Sequence, residues 1–159
     1  MKALITYFTM SGRTRRAAKA IASSLTNYEV DFFGIECEGN FIERIKMLDK
    51  FEKDDFSLVE EGLSNLDAAD YDLIVIGMPT YGSGTPNALH EILKRMKNLS
   101  GKRVVPFTTA RFSGGKALEF MISNIEAAGG KITTKTKITR PFYLGKRKAA
   151  KFGTEINEG

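Results

Sequence analysis

Apolar positions along the chain fall into short runs with the character of strands, separated by stretches of helical periodicity. Strands are predicted over 2–8, 29–35, 72–79, 103–109 and 131–140, and helices over 13–26, 41–53, 87–98, 115–128 and 146–157. Asp72-Leu73-Ile74-Val75-Ile76-Gly77 is almost continuously apolar, as in a strand covered on both faces. Residues 131–138 alternate instead, with Ile132, Thr134, Thr136 and Ile138 against Lys131, Thr133, Lys135 and Lys137. That is an edge pattern, in which lysines deter pairing with another chain. Ala17, Ile21 and Leu25 mark the inner face of the first helix, and Phe41, Ile45, Leu48 and Phe51 that of the second. Thr85 and Pro86 suit the N-cap and first position of the third helix, and Gly129-Gly130 closes the fourth. Residues 54–71 read as a mostly polar connection. The last helix offers little apolar surface beyond Ala149, Ala150 and Phe152, and is expected to cover the sheet incompletely.

Five strands alternating with helices imply a parallel sheet with helices on both faces. Right-handed crossovers then favour the order 2-1-3-4-5, a doubly wound α/β/α sandwich read as one domain over 1–159. The order reverses between strands 1 and 3, and ligands bind there, outside the carboxyl ends of the strands.

With 159 residues the chain can bury a proper core without disulfides or metal. Its single cysteine, Cys37, excludes an internal disulfide framework and any zinc or iron–sulfur spacing, and reads as a small half-buried residue. No apolar stretch precedes the first strand, and no run approaches the ~18 residues of a membrane helix. A soluble, cytoplasmic protein without a membrane partner is the expectation. The net charge of +5 is uneven: residues 36–61 carry nine acids and four bases, whereas 131–151 carry eight Lys/Arg and no acid. The basic end suits an acidic partner or a solubilising edge. Nucleic acid is disfavoured because no aromatic–basic stacking motif accompanies the charge. The pattern leaves the oligomeric state open.

Chemistry concentrates in the loops after strands 1, 3 and 4. The first, Thr9-Met10-Ser11-Gly12-Arg13-Thr14, leads from a strand straight into a helix. A hydroxyl-rich loop at a helix N-terminus is an anion site, and Thr9, Ser11 and Thr14 can each donate to one phosphate. The second holds Pro79, Thr80, Tyr81, Gly82, Ser83 and Gly84; the third holds Thr109, Ala110, Arg111, Phe112, Ser113, Gly114 and Gly115. Glycines let backbone approach a flat ligand closely, and Tyr81 and Phe112 can stack on a ring. Together the loops describe a site for a planar ring with a phosphate tail. His90, the only histidine, has Lys94 and Lys97 beside it on its helix and is expected to face solvent.

Other ligands of this architecture fit poorly. No GxxxxGK[ST] follows the first strand, which disfavours a nucleotide hydrolase, and no G-x-G-x-x-G stands there for a dinucleotide fold. A phosphorelay receiver needs acids after strand 1 and an Asp ending strand 3, where this chain has Thr9 and Pro79. A tyrosine phosphatase of similar shape needs a cysteine in the first loop.

The strings TYFTMSGRT, GMPTYGSGTPNALHEIL and TTARFSGGKALEFM resemble the flavodoxin family, closely over residues 1–130 and in outline beyond. The resemblance implies a flavodoxin-like fold that binds FMN. It implies a phosphate held by Thr9, Ser11, Gly12, Arg13 and Thr14, with Met10 in the same loop. The isoalloxazine ring would lie between Pro79–Gly84 and Thr109–Gly115, with Tyr81 and Phe112 as its neighbours. Gly82 would be the residue whose carbonyl turns toward the reduced ring. The implied role is low-potential electron transfer between redox partner proteins. The alternatives are an NAD(P)H-dependent quinone or FMN reductase and a flavin-free interaction module; the short chain, with no insertion to wall a substrate pocket, favours the carrier. One departure from the family matters. Its carriers are usually acidic and this chain is basic, so its partners are expected to be acidic. Arg111 beside the ring is expected to favour the reduced, anionic flavin.

Overall fold

The computed structural model describes residues 1–139 and 142–159, except for the side chains of 142–144. The first apolar run forms strand β1 (Lys2–Thr9), which feeds helix α1 (Arg13–Ala22). Strand β2 (Glu29–Glu36), helix α2 (Phe41–Glu52), a single 3₁₀ turn (Ser57–Val59) and the short helix α3 (Glu60–Ser64) follow. Strand β3 (Leu73–Pro79), helix α4 (Ala88–Arg95), strand β4 (Arg103–Ala110) and helix α5 (Ala117–Ala127) complete the middle of the chain. It ends in the short strands β5 (Lys131–Ile132) and β6 (Thr136–Thr139) and helix α6 (Phe142–Glu158). The sheet is parallel, in the order β2-β1-β3-β4-β5, with β6 also on β4. This is the flavodoxin-like α/β architecture and strand order that the sequence implied.

Alternation along the strands splits the core into two layers. Leu4, Phe8, Ile74, Ile76, Met78 and Val104 face one side and meet Phe51, Leu63, Leu89, Ile92, Met121 and Ile125 from α2 to α5. Ala3, Ile5, Leu73, Val75, Val105 and Phe107 face the other and meet Ala17, Ile21, Phe152 and Ile156 from α1 and α6.

The edge departs from the single alternating strand of the sequence reading. Val104 pairs with Ile132 and Phe107 with Thr136, so β4 advances three residues while the edge advances four. The extra residue is a bulge, and it reverses which side chains face which layer. Ile132 packs against the α2–α5 layer, whereas Ile138 is buried in the α1/α6 layer. The predicted end of this strand, Arg140, lies outside the described residues.

Four further expectations change. Phe41 and Ile45 do not share the buried face of Phe51: Phe41 is 71% exposed and Ile45 is exposed too. Only the C-terminal end of α2 reaches the core, where Phe51 meets Phe8 edge-on and stacks on Phe56. The α2 N-terminus is held instead by a capping box between Asn40 and Glu43. Residues 54–71 are no polar bridge, since Phe56, Leu63, Leu66 and Ala68 are buried. Helix α4 starts after Asn87 and not at Thr85-Pro86, because the Asn87 amide donates to the Glu52 carbonyl and to Asp54 and fixes the chain ahead of the helix. The predicted continuation to 98 unwinds after Arg95, where Lys97 forms a bridge with Asp67. Helix α6 is also longer and better docked than expected. Ala149, Phe152 and Ile156 are buried, the Arg103 guanidinium donates to the Ile156 carbonyl, and Asn157 bonds to Thr26 and Asn27. Gly153 explains the docking: a Cβ there would lie 2.5 Å from the Ile21 carbonyl oxygen, so only glycine lets α6 come this close to α1.

Candidate functional site

The parallel register brings the ends of β1, β3 and β4 to one rim. Pro79 pairs with Thr109, and the Thr80 N–H donates to the Thr109 carbonyl at 2.8 Å. The Thr14 and Thr109 hydroxyls share a hydrogen bond of 2.8 Å, which ties the start of α1 to the third loop. Gly115 lies against Ser83, so the second and third loops touch. The three chemically unusual loops therefore stand together.

The first loop is built for an acceptor. The Gly12 N–H donates to Thr9 Oγ1 at 2.9 Å, which leaves the Thr9 proton to donate elsewhere. Gly12 is the N-cap of α1 and has a left-handed backbone, and no side chain caps the helix. An uncapped N-terminus presents N–H groups and the positive end of the helix dipole. Thr9 and Thr14 are buried, and the proton that Thr14 shares with Thr109 is committed inside the protein.

In the second loop Tyr81 and Gly84 exchange backbone hydrogen bonds of 2.9 and 3.0 Å around Gly82 and Ser83. Gly82 has φ +60° at the first turning position, as a tight two-residue turn demands, and open space surrounds it. Tyr81 is half-buried, edge-on to Phe8 at 6.3 Å. Its hydroxyl is buried without a partner among the described residues, and burial pushes the phenol above its ordinary range. The side chain is thus anchored in the core rather than splayed over the rim. In the third loop Phe112 is 78% exposed, and the Arg111 guanidinium lies 5.9 Å from its ring centre. The loop is pinned from β6, where Lys137 donates to the Gly115 carbonyl and pairs with Glu119.

A cavity of about 640 Å³ opens between these loops. Its wall takes in Thr9, Met10, Ser11, Arg13 and Thr14, then Pro79, Thr80 and Tyr81, then Thr109, Ala110 and Arg111. Gly12 lines a smaller hollow on the other side of the loop, beside Arg15, Glu36 and Arg44. Gly82, Ser83, Gly84, Phe112, Ser113, Gly114 and Gly115 belong to the same two loops but stand off the cavity wall. Thr80 is on the wall, but its hydroxyl is turned beneath the third loop toward Gly114, buried and without a partner among the described residues.

Sequence reasoning missed the far wall. Arg16, Ala17, Lys19 and Ala20 of α1, Ser23 at its C-cap, Ile138 and Thr139 of β6, and Gly145 and Lys146 of α6 also line the cavity. The spacing of Arg13, Arg16, Ala17 and Ala20 on one helical face was a readable signal, but nothing in the chain says that α6 stands opposite. Arg13, Arg16, Lys19, Arg111 and Lys146 give the wall five bases, and no acid is among the described lining residues.

Other groups play no visible part. His90 is exposed, as expected, and sits edge-on to Phe120. Cys37 is buried more deeply than expected, and burial pushes its thiol up to about 11. Among the described residues no group of His, Cys, Asp and Glu could hold a metal, and no helix is long and apolar enough to cross a membrane.

The chain belongs to the flavodoxin family, whose model matches residues 2–140. No curated protein matches it. Among solved structures, a flavodoxin of Streptococcus pneumonia TIGR4 is 18% identical with a TM-score of 0.65, over 99% of each chain. A flavodoxin from the domain Archaea is 18% identical with a TM-score of 0.62, over 99% of this chain and 97% of that one. A flavoprotein from Lactobacillus acidophilus NCFM, solved in complex with FMN, is 20% identical with a TM-score of 0.60, over 86% of this chain and 92% of that one. At these identities the likeness is one of fold.

Proposed function

We propose that the chain binds FMN and carries electrons at low potential between redox partner proteins. The observation that carries this is the cavity at the strand ends, where the uncapped N-terminus of α1 and the Thr9–Thr14 loop share one wall with Pro79–Tyr81 and Thr109–Arg111. The donor set suits a phosphate at one end: Thr9 and Ser11 hydroxyls, loop N–H groups and the cation of Arg13. Toward the loop tips Pro79, Tyr81 and Ala110 offer apolar surface to a flat ring.

FMN supplies a ring that takes up and releases electrons singly. The chain's own residues set the conditions for it. The phosphate loop holds the ligand by its tail and fixes its depth. The Gly82 turn has room around it, so its peptide can change orientation without steric cost. Arg111 on the wall places a positive charge that stabilises added negative charge nearby. Gly82 and Gly84 meet open space, and Phe112 stands out into solvent, so the loop tips present an uncovered edge. That edge suits direct transfer to another protein more than enclosure of a small substrate.

The cations on the wall and along the C-terminal segment support acidic partners. Electron-transfer rates are then expected to fall as ionic strength rises. The test is an absorbance spectrum of the purified chain with identification of the released cofactor, followed by assays for NAD(P)H oxidation with a quinone. Flavin bands, released FMN and no steady oxidation are expected. Steady NAD(P)H oxidation would assign the chain to the quinone or FMN reductases, and absence of flavin binding would overturn the proposal.

A further inference from the structure

The two edges of the sheet are finished differently. On one side the edge is broken into β5 and β6, offset by a bulge, and it carries Lys131 and Lys137. Short strands, bulges and lysines are devices that keep an edge from pairing with another chain. On the other side β2 has none of them. It pairs with β1 without a break from Glu29 to Glu36 and holds no lysine and no proline. The ends of this ladder give the direction of its backbone groups. The Glu29 N–H donates to the Met1 carbonyl and the Cys37 N–H to the Thr9 carbonyl, so the odd-numbered residues bond to β1. The N–H and C=O groups of Val30, Phe32 and Gly34 therefore point outward, and no described residue bonds to them. Phe32 stands on this open edge 45% exposed. Helix α2 leaves the end of β2 and joins the core only at Phe51, so Phe41, Ile42 and Ile45 add exposed apolar surface on the same flank.

We infer that β2 pairs with β2 of a second copy of this chain, antiparallel about a two-fold axis beside Phe32. A two-fold makes the strand its own complement, and the contact closes on two copies without propagating. In this register Phe32 lies against the partner's Phe32, Val30 against Gly34, Asp31 against Phe33 and Glu29 against Ile35. The outward groups exchange about six backbone hydrogen bonds. No carboxylate stands directly opposite a carboxylate, and the two Phe32 rings meet on one face as an aromatic pair of the kind that stabilises adjacent strands. Two of the edge carboxylates are already committed within the chain. Asp31 accepts from the Tyr71 hydroxyl at 3.0 Å, and Glu36 accepts from Tyr7 and pairs with Arg15. Antiparallel pairing sends the carboxyl ends of the two sets of strands in opposite directions. The two sites described above then lie at opposite rims of the dimer, each with its loop tips uncovered.

The experiment is sedimentation equilibrium over a range of protein concentrations, joined to amide hydrogen exchange. The wild-type chain is expected to reach twice the mass of one chain, and the Val30, Phe32 and Gly34 amides to exchange more slowly as the dimer forms. Phe32→Lys sets two cations face to face across the axis and is expected to weaken the dimer about tenfold or more. Phe120→Lys, at a similarly exposed aromatic on α5, is expected to leave it unchanged, so a loss confined to Phe32 is no general effect of added charge. The exchange readout on the wild-type chain needs no variant. A chain that stays monomeric at every concentration would overturn the inference. So would a dimer that survives Phe32→Lys with those three amides still exchanging fast, which would place the contact on another face such as α2.

Discussion

Replacing Gly153 with alanine separates a tightly docked α6 from a loosely laid one, and the two cases differ in sign. In an exposed helix interior, Gly→Ala stabilises by about 1 kcal/mol through helix propensity alone. Here the new Cβ would lie 2.5 Å from the Ile21 carbonyl oxygen and 2.8 Å from Ser24 Cβ. The first of these is backbone, held inside α1, and it cannot move without shifting one helix against the other. Overpacking of this kind costs about 1–3 kcal/mol, and a clash with backbone belongs at the upper end. The net expectation is a loss of about 1–2 kcal/mol. For a chain of this size that lowers the melting temperature by about 2–8 °C. Thermal unfolding followed by far-ultraviolet circular dichroism reads it directly. A melting temperature that holds or rises would refute the close approach and with it the packing that puts α6 across the cavity from α1.

The remaining predictions concern the site and the buried thiol. Thr14→Val leaves the Thr109 hydroxyl buried without its partner and is expected to cost about 1–3 kcal/mol, while the double change with Thr109→Val recovers most of that loss in urea denaturation. Arg111→Ala is expected to make the potential of the bound flavin more negative in a potentiometric titration; an unchanged or less negative value counts against a role for this charge. Burial raises the Cys37 thiol from an ordinary 9.0 to about 11, so the folded chain keeps its proton where the unfolded chain has lost it. That contribution to stability is full below pH 9 and drains away as pH rises toward 11, and native protein is expected to resist alkylation at pH 8 until it is unfolded.

What could be read from the chain was whatever depends on local pattern. The continuous apolar run of β3 and the alternation of strand and helix set the parallel sheet and its order. The hydroxyl- and glycine-rich loops could be found because their composition is unusual wherever they fold. What could not be read depended on contacts distant in sequence. The bulge between Ile132 and Thr136 exists only relative to β4, and a lone strand reads as regular alternation. Gly153 reads as a helix weakener until Ile21 is seen beneath it. Phe41 and Ile45 have sound helical spacing, yet α2 meets the core only at its far end. Tyr81 reads as an aromatic able to stack on a ligand ring, but it stands edge-on to Phe8 with its hydroxyl buried. The far wall of the cavity along α1 was hidden for the same reason, since α6 on its other side comes more than a hundred residues later.

The most direct measurement is titration of the purified, flavin-free chain with FMN. The structure's uncapped helix and cationic wall predict saturable quenching at one flavin per chain, with riboflavin, which lacks the phosphate, bound at least tenfold more weakly. Riboflavin binding as tightly as FMN, or FMN failing to bind at all, would contradict a phosphate seated on the Thr9–Thr14 loop.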